Sequence, residues 1–269
     1  MGWISPILAL ELKLCGGRTM KTYGRFIIIF LILAVLSSLM ISGLGYWSSK
    51  GRAVEHARVK AEMLHNYLSA SMSFFKNHQR SAVMELLGKE DFYPELMLGF
   101  MVTRMTWDIF AKKNGGDLVD FSQATNNPLN ESNRAIESEA KIISTFLENP
   151  SLPKQAGIIE RNGEQHYFVA TPVRVWNEKC LQCHGDPDDA PRFQTEMYGT
   201  EHGYGWVLED VVSSTIVYVS MKTELHTAWI DAIKTFFISF ISLLITLGLL
   251  LFFLVDRTPA AIPDEETYY

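Results

Sequence analysis

The sequence predicts an α+β domain set between two transmembrane helices. Three observations carry that reading. Two long runs lack any charge, Phe26 to Ser49 with 24 residues and Thr235 to Val255 with 21. The stretch between them begins with apolar residues at three- and four-residue steps and then changes to a period of two, the signatures of helix and strand. Within its strand-rich half lies a single C-x-x-C-H motif, Cys180 to His184.

At 1.5 Å per residue each uncharged run reaches roughly 30 Å, enough for one bilayer core. The first follows Lys21 and Arg25 and ends on Tyr46 and Trp47, aromatic residues suited to the headgroup level. A cleaved signal peptide competes with an uncleaved anchor there, and Met20 is an alternative start. The expected division is a cytoplasmic segment 1–25, a span 26–49, a folded domain 50–231, a second span 232–255 and a disordered cytoplasmic tail 256–269. Flanking charges are nearly balanced across both spans, so they do not orient the chain.

Composition narrows the function. The chain has 269 residues and a formal charge of −6, and it contains no basic strip interleaved with aromatics, which argues against a nucleic-acid partner. Three cysteines are too few for a disulfide-stapled fold. No acid–base pair, activated nucleophile or phosphate loop accompanies the motif, so the sequence does not read as an enzyme.

In the folded stretch, Ala53 to Leu87 is expected to be a long helix. Val54, Ala57, Ala61, Leu64, Leu68, Ser71 and Phe75 form one stripe, suited either to a homodimer seam through helix 53–87 or to packing on its own domain. His56, His65 and His78 are expected to face solvent. A second helix should run from Pro94 to Lys113 and end at Gly115-Gly116, and a third from Ser132 or Asn133 to Leu147. Asp117 to Phe121 reads as a short strand. Ala156 to Arg161, the turn Asn162-Gly163, and Gln165 to Val175 read as a hairpin, and Val211 to Val219 as a further strand.

The motif Cys180-Leu181-Gln182-Cys183-His184 carries the chemistry. Two thiols three residues apart suit the two vinyl groups of one haem, and the adjacent histidine reaches its iron, so the spacing reads as c-type attachment. A redox dithiol and a zinc site are the alternatives. The first should precede a helix in a βαβ unit, whereas Gly185 to Asp189 reads as a loop, and the second lacks another cysteine pair. Covalent attachment takes place outside the bacterial cytoplasmic membrane, so the central domain is expected to be periplasmic or otherwise extracytoplasmic, anchored in the inner membrane.

Further residues join the motif in a wider pattern: Asp91-Phe92-Tyr93-Pro94, then Asn127-Pro128 through Asn133 with Glu137 and Phe146, then Tyr167-Phe168 and Thr171-Pro172-Val173 before Cys180 to Pro187. Over about residues 50–222 this resembles the bacterial haem-binding, PAS-like periplasmic sensor domain family first catalogued as domain of unknown function 3365. The resemblance implies a PAS-like antiparallel sheet with flanking helices, carrying one covalently attached haem c on Cys180 and Cys183 with His184 as proximal ligand. Members commonly serve as inputs to kinases, cyclases or chemoreceptors. The 14 residues after the second run are too few for an output domain, so a separate signalling protein is expected to read a redox or small-gas signal. A monohaem electron-transfer subunit working with a redox partner is the alternative.

For the second axial position, Met97, Met101 and Met105 share a helical face, with Met101 central, and glycine-flanked His202 competes. Arg104, Arg174 and Arg192 are the expected partners of the haem propionates. Trp176, Phe193, Tyr204 and Trp206 are available to cover the porphyrin.

Overall fold

The computed structural model describes residues 6–87, 93–114 and 118–255. The expected glycine stop at 115–116, the Asp91-Phe92 pair and the tail 256–269 lie outside the described residues. The chain divides into two units, Gly51–Leu225 and the pair of terminal segments Met1–Lys50 and His226–Tyr269.

The first unit is α+β. Its core is a four-stranded antiparallel sheet of β1 (Val119–Ala124), β2 (Gln155–Arg161), β3 (Glu164–Arg174) and β4 (Val211–Ser220), in the order β1-β4-β3-β2. The β2–β3 hairpin turns on Asn162 and Gly163, both at positive φ (55° and 76°), the backbone of a type I′ turn. The central strand β4 pairs with both β1 and β3 and is covered on both faces, which explains its unbroken apolar and small-residue sequence.

Helices occupy the two faces. On one, α5 (Glu137–Glu148) sets Ile142, Ile143 and Phe146 against Ala124, Ala170, Ile216 and Tyr218. On the other, α1 (Pro6–Phe74) places Ala57 and Ala61 against Tyr167, Val169, Val219 and Met221. Its next turns place Leu68 with Trp107, Phe121 and Val217. The stripe read from the sequence is thus packing on the helix's own domain; its alanines let the helix approach the sheet closely. His65 follows the same face. It is buried, not solvated, and its Nε2 lies 3.0 Å from Thr171 Oγ1 on β3.

Three helices depart from expectation. A π-helical turn, Phe75–Gln79, interrupts the long helix before α2 (Arg80–Leu87). The second helix breaks at Leu98 into α3 (Pro94–Met97) and α4 (Gly99–Asn114), so no single helix runs from Pro94 through Met105. Gly99 sits where a Cβ would lie 2.8 Å from the Phe75 ring, so glycine lets α4 start close against the π-helical turn. The helix expected from Ser132 starts at Glu137 instead. Residues 133–135 hydrogen-bond to Thr125, whose N–H donates to Asn133 O (2.9 Å) and whose carbonyl accepts from Ala135 N–H (2.9 Å). The freed Ile136 N–H is taken by the Glu139 carboxylate at 3.1 Å. That buried carboxylate also accepts from Tyr218 Oη at 3.1 Å; burial and the carboxylate together push the phenol's ionisation far up.

In the second unit, α8 (Lys222–Val255) and the first part of α1 are each long and apolar enough to cross a membrane. Their large apolar side chains point mostly outward, while Ala34 and Ser38 are buried, with Ala232 and Leu247 on α8. Ser42 Oγ donates to Ala232 O across the pair at 2.7 Å, and Tyr46 meets Trp229 edge-on. Small residues with one interhelical hydrogen bond suit close helix packing in an apolar medium.

Candidate functional site

The motif follows β3. After a bulge at Val173/Arg174, Val175 is fixed by Val175 N–H to Asp210 O (3.0 Å) and Glu209 N–H to Val175 O (2.8 Å). The Asn177 side chain then caps a 3₁₀ turn, Glu178–Cys180, by accepting from Lys179 N–H at 2.9 Å. One helical turn, α6 (Leu181–His184), completes the motif. The turn brings Cys183 and His184 beside α7 (Arg192–Tyr198), whose buried Gln194 donates its amide to Cys183 O, and the residues from Gly185 to Asp189 form the expected loop. Gly185 closes the turn with its N–H on Leu181 O at 2.8 Å.

His184 is held on three sides. Its Nδ1 lies 2.8 Å from Gly203 O. A carbonyl only accepts, so the proton is on Nδ1 and the Nε2 lone pair is left free. Trp206 stacks on the imidazole at 3.8 Å between ring centres and 7° between planes. The backbone is tied by Trp206 N–H to His184 O (3.0 Å) and Gly205 N–H to Gly185 O (2.8 Å). Burial pushes the His184 imidazole below its usual range, against the pull of the Gly203 carbonyl, which favours the neutral ring. Burial also pushes the Cys183 thiol up. A raised thiol is poorly suited to dithiol exchange. Among the described residues no group of three or more His, Cys, Asp or Glu side chains converges.

Cys183 and His184 open on a cavity of about 200 Å³ with largely apolar walls, among them Phe100, Met101, Val173, Phe193 and Trp206. A second cavity of about 270 Å³, with a larger polar share than the first, shares Phe100, Met101, Gln123, Asn130 and Asn133 with it and adds Arg104, Asp108, Phe121 and Ser132. Of the axial candidates, Met101 lines both cavities, and Met105 is exposed. The side chain of Met97 lies outside the described residues. His202 is exposed and lies outside both linings.

The three arginines separate. Arg104 borders the second cavity, with a guanidinium nitrogen 3.3 Å from Phe121 O and another 3.3 Å from Asp108. Arg174 instead donates to Pro150 O and lies over Trp176. Arg192 is exposed and pairs with Glu196 at 2.7 Å. Of the four aromatics, Phe193 and Trp206 border the cavity, Trp176 is exposed, and buried Tyr204 donates its hydroxyl to Gly199 O at 3.0 Å. The sequence reading of the pocket passed over Asn127, whose carboxamide spans the Gly203–Tyr204 backbone, and Gln194. Asn127 stood in the resemblance only as part of a loop pattern.

An antiparallel α+β domain with a C-x-x-C-H turn, its histidine oriented by a backbone carbonyl beside an apolar cavity, is the architecture of a prosthetic-group carrier. The chain belongs to the Tll0287-like family, whose pattern matches residues 50–220. Among solved structures, that of the cyanobacterial heme-protein Tll0287 is 18% identical, with a TM-score of 0.42, and the match covers 59% of this chain and 95% of the other. No curated protein matches this sequence.

Proposed function

We propose that the chain is a membrane-anchored monohaem c-type protein, with Cys180 and Cys183 in thioether linkage and His184 on the iron, whose extracytoplasmic domain senses redox state or a small gas for a separate partner. One observation supports it above the rest: the His184 Nδ1 proton is spent on Gly203 O, leaving Nε2 free beside a cavity that Cys183 also borders. Metal-bound histidines are oriented in this way. The group would supply one-electron chemistry or a gas-binding iron.

The residues fit such a group. The first cavity, about 200 Å³, falls below the ~300–1,000 Å³ usual for small-molecule sites, so a porphyrin held there extends beyond it. The adjoining cavity with Arg104 suits the propionates, and Arg104 is the arginine of choice. Met101 is the favoured second ligand over His202. A thioether is a weak, displaceable partner, consistent with gas or redox sensing.

Electron transfer is the second reading. The Trp206 ring, half-buried and stacked on His184, favours it as a contact between the site and solvent.

Denaturing electrophoresis tests the shared part: a peroxidase-staining band at the mass of the chain, absent in Cys180→Ala/Cys183→Ala. Lack of haem in a host with working c-type maturation removes the proposal. Visible spectra of the reduced protein under carbon monoxide divide the readings. A shifted spectrum, with Met101→Ala losing low-spin character beforehand, supports a displaceable ligand; an unchanged low-spin spectrum leaves redox sensing or electron transfer.

A further inference from the structure

Asn127 lies in the loop after β1, far from the motif in sequence, and grips the segment that orients His184. The loop itself is anchored: Thr125 Oγ1 donates to Val212 O on β4 at 2.6 Å, and Asn127 N–H donates to Thr125 Oγ1 at 3.2 Å. From that base the Asn127 carboxamide makes two bonds to consecutive residues. Oδ1 accepts from Gly203 N–H at 3.0 Å, and Nδ2 donates to Tyr204 O at 3.2 Å. An amide oxygen cannot face a carbonyl, nor an NH₂ group an N–H, so the bracket fits one way round only. Between these two bonds projects the Gly203 carbonyl that receives the His184 Nδ1 proton at 2.8 Å.

Position 203 admits only glycine in this arrangement. Gly203 has φ +83°, and a Cβ there would stand 2.6 Å from Leu129 Cβ and 2.8 Å from its backbone nitrogen. Leu129 belongs to the same loop as Asn127, so that loop both presses on Gly203 and holds it by hydrogen bonds.

We propose that Asn127 is the positioning residue for His184, acting through the Gly203 carbonyl to set the imidazole tautomer and aim Nε2 into the cavity. The inference deepens the haem reading and rests on it only for its redox consequence. A carbonyl accepting the Nδ1 proton makes Nε2 a stronger donor, which stabilises ferric over ferrous iron and lowers the reduction potential. Losing the clamp releases the carbonyl and raises the potential. Asn127 is an exposed residue, so its truncation opens no core cavity.

Two measurements on the full-length protein in detergent test this. In haem-free chain, made in a host without c-type maturation and carrying ¹⁵N-labelled histidine, nuclear magnetic resonance reads the His184 tautomer. The wild type is expected to carry its proton on Nδ1, and Asn127→Ala is expected to shift a substantial fraction to Nε2. In mature protein, Asn127→Ala is expected to keep the covalent haem band while its potential moves upward. If the alanine variant loses its fold, Asn127→Asp carries the tautomer measurement. It keeps the acceptor for Gly203 but sets an oxygen against the Tyr204 carbonyl, and a shift of the proton towards Nε2 is again expected. A wild-type band that never forms ends the haem reading and leaves the tautomer test standing. An Nδ1 proton and a potential unchanged in the folded variants overturn the positioning role.

Discussion

His65 shows how a single residue couples the long helix to the sheet. Its Nε2 meets Thr171 Oγ1 on the strand that leads into the motif, and burial, aided by the positive charge of Lys154, holds its pKa below the ordinary 6.5. The folded state therefore favours the neutral ring, while the unfolded chain takes up protons as pH falls below about 6.5. This contribution is complete above that value and erodes below it. Melting at pH 5.5 is expected to occur at a lower temperature than at pH 7.5. In haem-free protein His65→Gln should reduce the difference without abolishing it, because His184 is depressed in the same direction. A pH slope unchanged by His65→Gln would show that the contact carries no linkage. Cys183 offers a second residue-level expectation. With its thiol pushed up by burial, alkylation of haem-free protein at pH 7 should be slower at Cys183 than for a free cysteine, and faster modification would revive the dithiol alternative.

At the scale of elements, the two helices that cover the sheet fail in opposite ways. Ala61 on α1 is fully buried against the sheet, so Ala61→Leu forces extra volume into a close contact. Overpacking of this kind costs roughly 1–3 kcal/mol. Phe146 on α5 is equally buried, and Phe146→Ala leaves a cavity, at a cost of about 3–5 kcal/mol. Urea denaturation measures both, and a midpoint unchanged by Ala61→Leu would contradict the helix–sheet packing. The break between α3 and α4 belongs to the same scale. It places Met101 at the start of α4, where its side chain lies on the cavity wall.

For the whole molecule, two apolar helices and the covalent haem proposed for the domain between them imply a definite topology. Reporters fused after Thr19, within the exposed Asn162 turn, and after Tyr269 are expected to give cytoplasmic, periplasmic and cytoplasmic signals. Recovery of a mature product beginning near Ser48 would instead identify the first run as a cleaved signal. The exposed turn at Asn162 tolerates insertion because its backbone is a surface hairpin loop, so a fusion there leaves the sheet intact.

Local sequence determined a good part of this protein. Uncharged length marks the two apolar helices, since α-helical rise and apolarity alone set that requirement. Period-two alternation with Asn162-Gly163 places the β2–β3 hairpin, because only that turn chemistry supports two consecutive positive φ values. The spacing of Cys180, Cys183 and His184 was likewise legible, being contained in five residues. What tertiary structure alone decided lies in contacts between distant segments. The stripe on α1 reads equally as seam or core until the sheet is seen to cover it. Arg104, Arg174 and Arg192 look alike in sequence, and only Arg104 borders a cavity beside the motif. The orientation of His184 depends on Gly203, and Gly203 is held by Asn127, 76 residues earlier. A carbonyl's direction is a property of the folded backbone, which no local pattern of side chains records.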